Sequence, residues 1–321
     1  MKRIPILLLA ASVLAASLTA CGSPAASSSS APPSSAPSSA FQGYTFTDDL
    51  GRTVTVEQPE RVAALIGSFA DVWCLAGGQD TLVAAAHDAW TSFDLGLSDT
   101  VADLGAVKEP NLEVLLAAQP DFILASCNTT ADLELENTFE SAGIPTAYFD
   151  IQSFDDYLNM LKICTDLTGC PENYDTYGLQ VQEQVEAAKA RQDGSAPTVL
   201  TIRATGSSCK VKGSSDFLLG EMLADLGCVN VADSETSLLE ELSLESILAA
   251  DPDYIFVVLQ GSDATDAQET LEKTLLSNPA WGSLRAVQEG RFHTLEHSLY
   301  NLKPNARWGE AYEKLADILY P

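Results

Sequence analysis

Several side chains suited to holding a ligand lie in loops that follow predicted strands. In open α/β sheets, ligands bind beyond the carboxyl ends of the strands, so polar and aromatic residues at those points are candidate ligand contacts. Charged groups among them offer ion pairing to an anionic ligand, and aromatic rings offer stacking. The candidates are Ser68, His87, Trp90, Asn128, Arg203, Lys212, His297, Tyr300 and Arg307.

Each candidate also has a plain structural explanation. A histidine after a strand, such as His87 or His297, is often solvated or structural, and an aromatic loop residue such as Trp90 is often simply packed. The cations are more informative, because the chain as a whole is strongly acidic and cations at a cleft stand out against that background. We expect His297 and Tyr300 to form a polar and aromatic pair at the mouth of the cleft.

A repeated pattern indicates how the chain positions these loops. Residues 111–126 (NLEVLLAAQPDFILAS) and 243–259 (SLESILAADPDYIFVVL) share a Leu-Glu start, a Leu-Ala-Ala segment and a Pro-Asp step before an apolar run. Each copy predicts a short amphipathic helix, a turn at the proline and a buried strand. The repeat predicts an α/β protein of two Rossmann-like lobes with parallel sheets and helical crossovers. We predict strands near 62–66, 82–86, 121–126, 145–150, 198–203, 229–231, 254–259 and 292–296.

The stretch between the two copies predicts one long backbone helix that joins the lobes. Residues 171–194 begin with Pro171, which is typical of a first helical turn, and end with Gly194, which is typical of a helix end. At a rise of about 1.5 Å per residue such a helix spans roughly 30 Å, enough to reach from one lobe to the other. Its apolar stripe consists of Tyr174, Tyr177, Val181, Val185 and Ala188.

The first residues of the chain predict export and anchoring. Residues 1–21 carry a basic start, an apolar run and a Leu-Thr-Ala-Cys ending that matches the bacterial lipobox, so Cys21 is the expected lipidation site. A plain secretory signal that happens to end in cysteine is the alternative. Residues 22–43 are rich in Ser, Pro and Ala and form a tether. The remaining domains are a first lobe at 44–152, a helical connector at 153–194 and a second lobe at 195–321.

Charge and cysteine content narrow the class of protein. All 45 acidic residues lie beyond residue 40, and two of the 17 basic residues lie in the signal, which leaves 15 basic residues and a net charge of −30. This charge excludes nucleic acid as a partner. The other cysteines lack C-x-x-C spacing, which argues against a thiolate zinc site, and their state as disulfides or buried thiols stays open. They are Cys74, Cys127, Cys164, Cys170, Cys209 and Cys228.

Catalytic and metal-binding motifs are sparse. The chain has no G-x-S-x-G elbow, no H-E-x-x-H and no glycine-rich phosphate loop, so we expect no enzymatic activity and no resident cofactor. A bare metal ion would find at most His87 and His297 with Glu296 or Asp150, which is a poor ligand set. Haem would need an axial ligand, for which these histidines and Tyr300 are available.

Several segments together resemble one family. The lipobox, the tether, the opening FTDDLGRTVTVEQPERVAAL (46–65), the two repeat copies and the tail NPAWGSLRAVQEGRFHTLE (278–296) are similar to the iron-complex substrate-binding lipoproteins of ABC importers. Relatives in that family bind ferric siderophores, haem or cobalamin. The resemblance covers about residues 44–321. It implies two lobes joined by a single long helix, a shallow cleft between them that holds the ligand, and limited lobe closure.

The resemblance also implies partners. An ABC permease and its ATPase would receive the ligand, and an acidic residue on each lobe would dock with arginines of the permease. The matching positions are Glu113 and Glu245, one in each repeat copy. A glutamate in the first turn of a helix also favours the helix dipole whatever its function.

We therefore expect an extracytoplasmic, lipid-anchored, monomeric binding protein on the outer face of the cytoplasmic membrane. Its ligand would be an anionic ferric chelate of small to medium size, bound between the lobes by Arg203 and neighbouring cations. Cobalamin is the second candidate, haem remains open, and a bare metal ion ranks below both.

Overall fold

The residues described by the computed structural model, 43–240, 242–261 and 264–321, contain two five-stranded sheets and one two-stranded hairpin. The predicted signal, the lipidation site Cys21 and the tether up to residue 42 lie outside this described part. The first sheet has the strand order β5-β4-β3-β6-β7 and is entirely parallel. The second has the order β10-β8-β11-β12, and β9 adds to β8 in the antiparallel sense.

The strands include all those that the sequence predicts, each within two residues. The sequence did not predict the hairpin β1–β2 or the two-residue strand β5. It also did not predict β9, which lies within a polar loop. The strands are β1 Tyr44–Thr47, β2 Thr53–Val56, β3 Val62–Ala64, β4 Leu82–Ala85, β5 Ala102–Asp103, β6 Phe122–Ser126, β7 Thr146–Phe149, β8 Thr198–Ala204, β9 Cys209–Lys212, β10 Val229–Asn230, β11 Tyr254–Leu259 and β12 Phe292–Leu295.

Helices cover both sheets and supply the crossovers between parallel strands. The α-helices are α1 Gly67–Leu75, α2 Asp88–Thr91, α3 Leu112–Ala117, α4 Thr130–Glu134, α5 Glu136–Ala142, α6 Phe154–Thr168, α7 Pro171–Tyr174, α8 Gln180–Lys189, α9 Leu218–Asp225, α10 Val231–Ser234, α11 Ser237–Glu240, α12 Leu244–Ala250, α13 Ala264–Leu271, α14 Arg285–Gln288, α15 His297–Tyr300 and α16 Trp308–Leu319. Within the described residues, no helix is both long and apolar enough to cross a bilayer.

The two repeat copies fold in the same way. Asn111 and Ser243 cap α3 and α12, because each side chain accepts a hydrogen bond from the backbone N–H three residues later. The aspartate of each Pro-Asp step then binds the start of the neighbouring strand. Asp121 Oδ1 accepts from the N–H of Arg61, and Asp253 Oδ2 accepts from the N–H of Thr198. The repeated motif therefore ties each helix end to its sheet at equivalent places.

The backbone helix is present but shorter than predicted. It runs from Pro171 to Lys189, with a π-helical turn at Asp175–Leu179 between α7 and α8. The helix ends before Gly194, and beyond its end the Asp193 carboxylate accepts a hydrogen bond from the N–H of Ser195 in a local turn. Val181, Val185 and Ala188 are buried and the two tyrosines of the stripe pack beside them, so the predicted apolar face is confirmed.

The strands form the centre of each core. In the first sheet Val62 to Leu65 and Phe122 to Ala125 are fully buried, and in the second Ile255 to Val258 are. In the described part of the chain, the six cysteines beyond residue 43 are free thiols. Burial raises the pKa of Cys74 and of Cys228 to about 12, so these two stay protonated at neutral pH.

Candidate functional site

A cavity of about 550 Å³ lies between loops of the two lobes. The first lobe contributes residues at the end of α2, which follows β4. The second lobe contributes Gln260, which directly follows β11, and Glu296, which directly follows β12. The cavity therefore lies beyond the carboxyl ends of the strands, where α/β sheets place their ligands. Its lining consists of Thr91, Ser92, Gln260, Gly261, Glu296, His297, Ser298, Asn301 and Leu302.

A smaller cavity of about 220 Å³ adjoins the first and shares Ser92, Ser298 and Leu302 with it. Its other lining residues also come from both lobes. They are Asp71, Leu75, Phe93, Lys303, Pro304, Ala306 and Arg307. Because they share these residues, the two cavities are neighbours between the lobes.

The two candidate histidines are in different places. His297 lines the larger cavity, is half-buried, and has Nε2 at 3.0 Å from Nδ2 of Asn301. Burial lowers the pKa of His297, so its ring is neutral at neutral pH. His87 is exposed at the start of α2, where its Nδ1 lies 2.7 Å from Oδ2 of Asp103. Among the described residues, no group of three or more His, Cys, Asp and Glu side chains is arranged to hold a metal ion.

Arg203 and Lys212 lie on the β8–β9 hairpin, together with Lys210. Arg203 and Lys210 are register partners, and the Arg203 guanidinium lies 5.8 Å from the centroid of the Phe217 ring. Partial burial, followed by the charges of Arg203 and Lys210, lowers the pKa of Lys212. Within the described residues none of the three cations has a carboxylate oxygen within 4 Å. The hairpin therefore carries a local concentration of positive charge that forms no direct ion pair among the described residues, and the nearby Asp216 offsets part of it at Lys212.

The cationic hairpin adjoins the larger cavity without lining it. Ala204, the residue after Arg203, accepts a hydrogen bond from the N–H of Gln260 at 2.8 Å, and Gln260 lines the cavity. The hairpin thus lies beside the cavity edge on the neighbouring strand. Sequence reasoning named Arg203 and Lys212 as ligand contacts, and the structure brings them together.

Arg307 has a different environment. Its guanidinium contacts Glu296 at 3.1 Å and Glu310 at 2.7 Å, and Lys314 contacts the same two carboxylates. Hydrogen bonds from Ser298, Lys314 and Arg307 lower the pKa of Glu296 to about 2, so it is ionised. The positive charge of Arg307 is therefore already balanced by its own chain.

Three other candidates do not present their side chains to either cavity. Tyr300 is 1% exposed and its hydroxyl donates to the carbonyl of Ala311, so the predicted place at the mouth of the cleft is wrong. The residue falls on the inner side of the short helix α15. Ser68 is 2% exposed in the first turn of α1. Trp90 is partly buried and packs against the first core, in line with the packing explanation.

Asn128 remains exposed after β6. Its side-chain N–H donates to Oδ1 of Asp150, which follows β7, so the pair links two neighbouring strand ends. Neither residue lines the two cavities described above.

Sequence reasoning missed a contact between the lobes, which we call the interlobe clamp and define as residues 303–305. Asn305 is fully buried, and its Nδ2 donates to the carbonyl of Ser68 at 2.9 Å and to Oδ2 of Asp71 at 2.8 Å. The Lys303 ammonium donates to the carbonyl of Ile151. Burial lowers the pKa of Lys303. Asn305 has a φ of 50°, a left-handed conformation that asparagine tolerates. The Pro304-Asn305 step was therefore the sequence feature that could have indicated a turn at this position.

Comparison with known proteins agrees with this architecture. A model of the family described as periplasmic binding protein matches residues 62–299. The chain belongs to the periplasmic binding protein family. This assignment confirms the family that the sequence motifs resemble and the α/β fold with two lobes.

Individual relatives and solved structures are similar to this chain at low sequence identity. The iron-uptake system-binding protein of Bacillus subtilis (strain 168) is 24% identical over 222 residues, covering 68% of this chain and 67% of that protein. Staphylococcus aureus SirA, solved in complex with staphyloferrin B, matches with a TM-score of 0.65 and 22% identity over 86% of this chain and 97% of that one. The apo haem-binding protein RhuT from Roseiflexus sp. RS-1 matches with a TM-score of 0.65 and 22% identity, over 81% and 98%.

The two glutamates proposed for docking occupy equivalent positions in this periplasmic binding protein. Glu113 and Glu245 are both exposed, each in the first turn of its helix, α3 or α12. Within the described residues neither has an ion-pair partner. Both carboxylates are thus accessible to a partner.

Proposed function

We propose that this periplasmic binding protein captures an anionic ferric chelate between its lobes and delivers it to an ABC permease with its ATPase. The observation that carries the proposal is the cationic hairpin, Arg203, Lys210 and Lys212, beside a cavity between the lobes. In a mature chain of net charge −30, three neighbouring cations without a direct ion pair form a locally positive site that attracts an anion. We assign the protein no enzymatic role.

The size of the cavity supports a small chelate. A cavity of about 550 Å³ falls within the range of roughly 300–1,000 Å³ that is usual for small-molecule sites. A chelate already satisfies its iron, so the protein needs to supply charge pairing and shape and no closed set of metal ligands. The names of the iron-uptake relative and of the SirA complex with staphyloferrin B agree with this class of ligand.

We propose as ligand contacts residues that line the cavities or lie on elements beside them. Arg203 and Lys212 provide the charge, His297 lines the larger cavity, and Arg307 lines the smaller one. His87, Trp90 and Asn128 lie on the first-lobe side, on loops that follow β4 and β6. Haem is less well supported, because Tyr300 is buried and its hydroxyl is used by Ala311.

We further propose that Cys21 carries lipid and holds a monomeric protein on the extracytoplasmic face of the membrane. A wild-type protein that fractionates with membranes, and a Cys21→Ser protein that is released, would support the anchor. A Cys21→Ser protein that stays membrane-bound after a high-salt wash would contradict it.

The ligand is tested by quenching of intrinsic fluorescence with a panel of probes. Ferric citrate, staphyloferrin B loaded with iron, haemin, cyanocobalamin and bare ferric or zinc ions are titrated into the purified protein. We expect saturable quenching by at least one ferric chelate at concentrations where the bare ions have no effect. Saturable quenching by cyanocobalamin alone, or by a bare ion alone, would contradict the proposed ligand class.

A further inference from the structure

Four charged side chains at the edge of the cavities form a reciprocal network. Arg307 contacts Glu296 at 3.1 Å and Glu310 at 2.7 Å. Lys314 contacts the same carboxylates, at 3.0 Å for Glu296 and 2.8 Å for Glu310. Each carboxylate therefore has two cations, and each cation has two carboxylates.

The members of this network line different cavities. Glu296 lines the larger cavity, and Arg307 lines the smaller one. Ser298 lines both, donates to Glu296 at 2.5 Å and lies 3.3 Å from Nη1 of Arg307. Lys314 lines neither cavity. Among the described residues that line the larger cavity, Glu296 alone carries a full charge, since burial keeps His297 neutral.

This arrangement creates a conflict for an anionic ligand. A carboxylate at the cavity wall repels an anion unless its charge is balanced, and balance requires a cation that stays with it after the ligand enters. Arg307 lines the smaller cavity and pairs with Glu296 of the larger one, so it is placed to contact an anionic group of the ligand. Lys303 also lines the smaller cavity, but its ammonium is already bound to the carbonyl of Ile151. If Arg307 turns to the ligand, a second cation must stay beside Glu296 and Glu310 to offset their negative charge.

We propose that Arg307 exchanges Glu296 for the ligand when an anionic chelate binds and stays close to Glu310, while Lys314 remains with both glutamates and offsets the charge of Glu296 at the cavity wall. The inference rests on the proposed function and deepens it, because it assigns to Lys314 a role in the preference for anionic ligands, although Lys314 does not touch the ligand. Lys314 is thus a positioning residue. The ligand group that Arg307 meets is an anion, such as a carboxylate, lying near Ser298 where the cavities join.

The exchange is feasible because the network is exposed. The side chains of Glu296, Arg307, Glu310 and Lys314 are 44%, 46%, 39% and 47% exposed. Ion pairs at this exposure are screened by water and contribute little to stability, so one partner replaces another at low cost. The buried Asp48 carboxylate is a contrast, since it is 0% exposed in its pair with Arg52 and would resist exchange.

Lys314 is suited to remain behind. Its ammonium has donors in several directions and already contacts one oxygen of each glutamate, so it retains both carboxylates without moving. Arg307, in contrast, has a planar fork that matches a carboxylate of the ligand as well as one of the protein.

The test compares Lys314→Met with Lys273→Met. Lys273 forms the same kind of exposed pair four residues from a glutamate, Glu269, and lies outside both cavities, so it is a matched control. Using ferric citrate as the probe, we expect about tenfold weaker binding for Lys314→Met and a change of less than about twofold for Lys273→Met. Lys314→Arg retains the charge and is expected to bind like the wild type.

A double variant identifies the cause. In Lys314→Met with Glu296→Gln, no ionised Glu296 remains to hold Arg307 or repel the ligand, so affinity is expected to return to within about threefold of the wild type. Equal affinities for Lys314→Met and Lys273→Met would overturn the exchange. A double variant as weak as Lys314→Met alone would overturn it as well.

A measurement without iron separates this inference from the proposed function. The ¹⁵Nε resonance of Arg307 is followed while metal-free citrate is added to the wild type and to Lys314→Met. We expect a saturable shift in the wild type and a much weaker response in the variant. If that pattern is found but no ferric chelate binds, the proposed ligand is wrong and the exchange is correct. If ferric citrate binds while Arg307 does not respond, the exchange is wrong and the function is unaffected.

Discussion

At the scale of single residues, Asp132 shows how the first lobe tolerates a buried carboxyl group. Asp132 is 0% exposed, one of its oxygens accepts from the N–H of Ser126, and the other has no partner among the described residues. Burial raises the pKa of Asp132 to about 7, although the hydrogen bond from Ser126 opposes the shift. The folded protein therefore binds a proton more tightly than the unfolded chain does.

The sign of this shift sets a pH dependence. Between about pH 4 and pH 7 the unfolded chain has lost the proton that the folded protein keeps, so Asp132 makes folding less favourable as the pH rises through this window. Each pKa unit corresponds to about 1.4 kcal/mol, so the ionised group costs up to about 4 kcal/mol at pH 8. We expect Asp132→Asn, which retains an acceptor for Ser126, to stabilise the protein by about 1–3 kcal/mol at pH 8 and by much less at pH 4. Urea unfolding at the two pH values measures this, and an equal effect at both would contradict the argument.

At the scale of elements, local patterns predicted the strands and the repeat, but contacts between lobes were out of reach. The apolar run after each Pro-Asp step identified β6 and β11, because a fully buried strand has a distinctive composition. The backbone helix ends at Lys189, before the predicted end at Gly194, so the glycine did not locate the last helical turn. Tyr300 was expected at the cleft and is buried, whereas Asn305, for which the sequence predicted no role, bonds the other lobe. Which face of a short segment is buried depends on the opposite lobe.

The interlobe clamp is the element whose contribution is most directly measurable. Asn305→Gly keeps the left-handed backbone accessible and removes only the side chain that bonds Ser68 and Asp71, so we expect a loss of about 1–3 kcal/mol. Asn305→Asp places a second carboxylate beside Asp71, whose pKa burial already raises. We expect this variant to be less stable than Asn305→Gly at pH 8 and to recover at pH 5, where protonation relieves the repulsion. Equal stability of the two variants at pH 8 would count against the clamp.

At the scale of the whole molecule, the repeat places one exposed glutamate on each lobe, Glu113 and Glu245. A permease that contacts both lobes would use both glutamates. Exposed ion pairs contribute only about 0–1 kcal/mol each, so single changes have mild effects. We expect Glu113→Lys with Glu245→Lys to abolish uptake of radioactive iron chelate by cells and to leave chelate affinity of the purified protein unchanged. Glu140→Lys with Glu313→Lys makes the same change of charge at other exposed positions and is expected to retain uptake. Loss of chelate binding in the first pair would refute the docking role.

The central claim is that the cations of the β8–β9 hairpin, Arg203, Lys210 and Lys212, bind an anionic ferric chelate, and Arg203 tests it most directly. Arg291 is a matched control, because its guanidinium also lies over an aromatic ring, 5.2 Å from Tyr254, but at the amino end of β12. The decisive measurement is the dissociation constant for ferric citrate, by fluorescence quenching, of Arg203→Ala and Arg291→Ala. A lost charge-assisted hydrogen bond of about 1.5–3 kcal/mol predicts roughly ten- to a hundredfold weaker binding for Arg203→Ala and little change for Arg291→Ala. Unchanged affinity in Arg203→Ala, with saturable binding in the wild type, would contradict the electrostatic basis of the site.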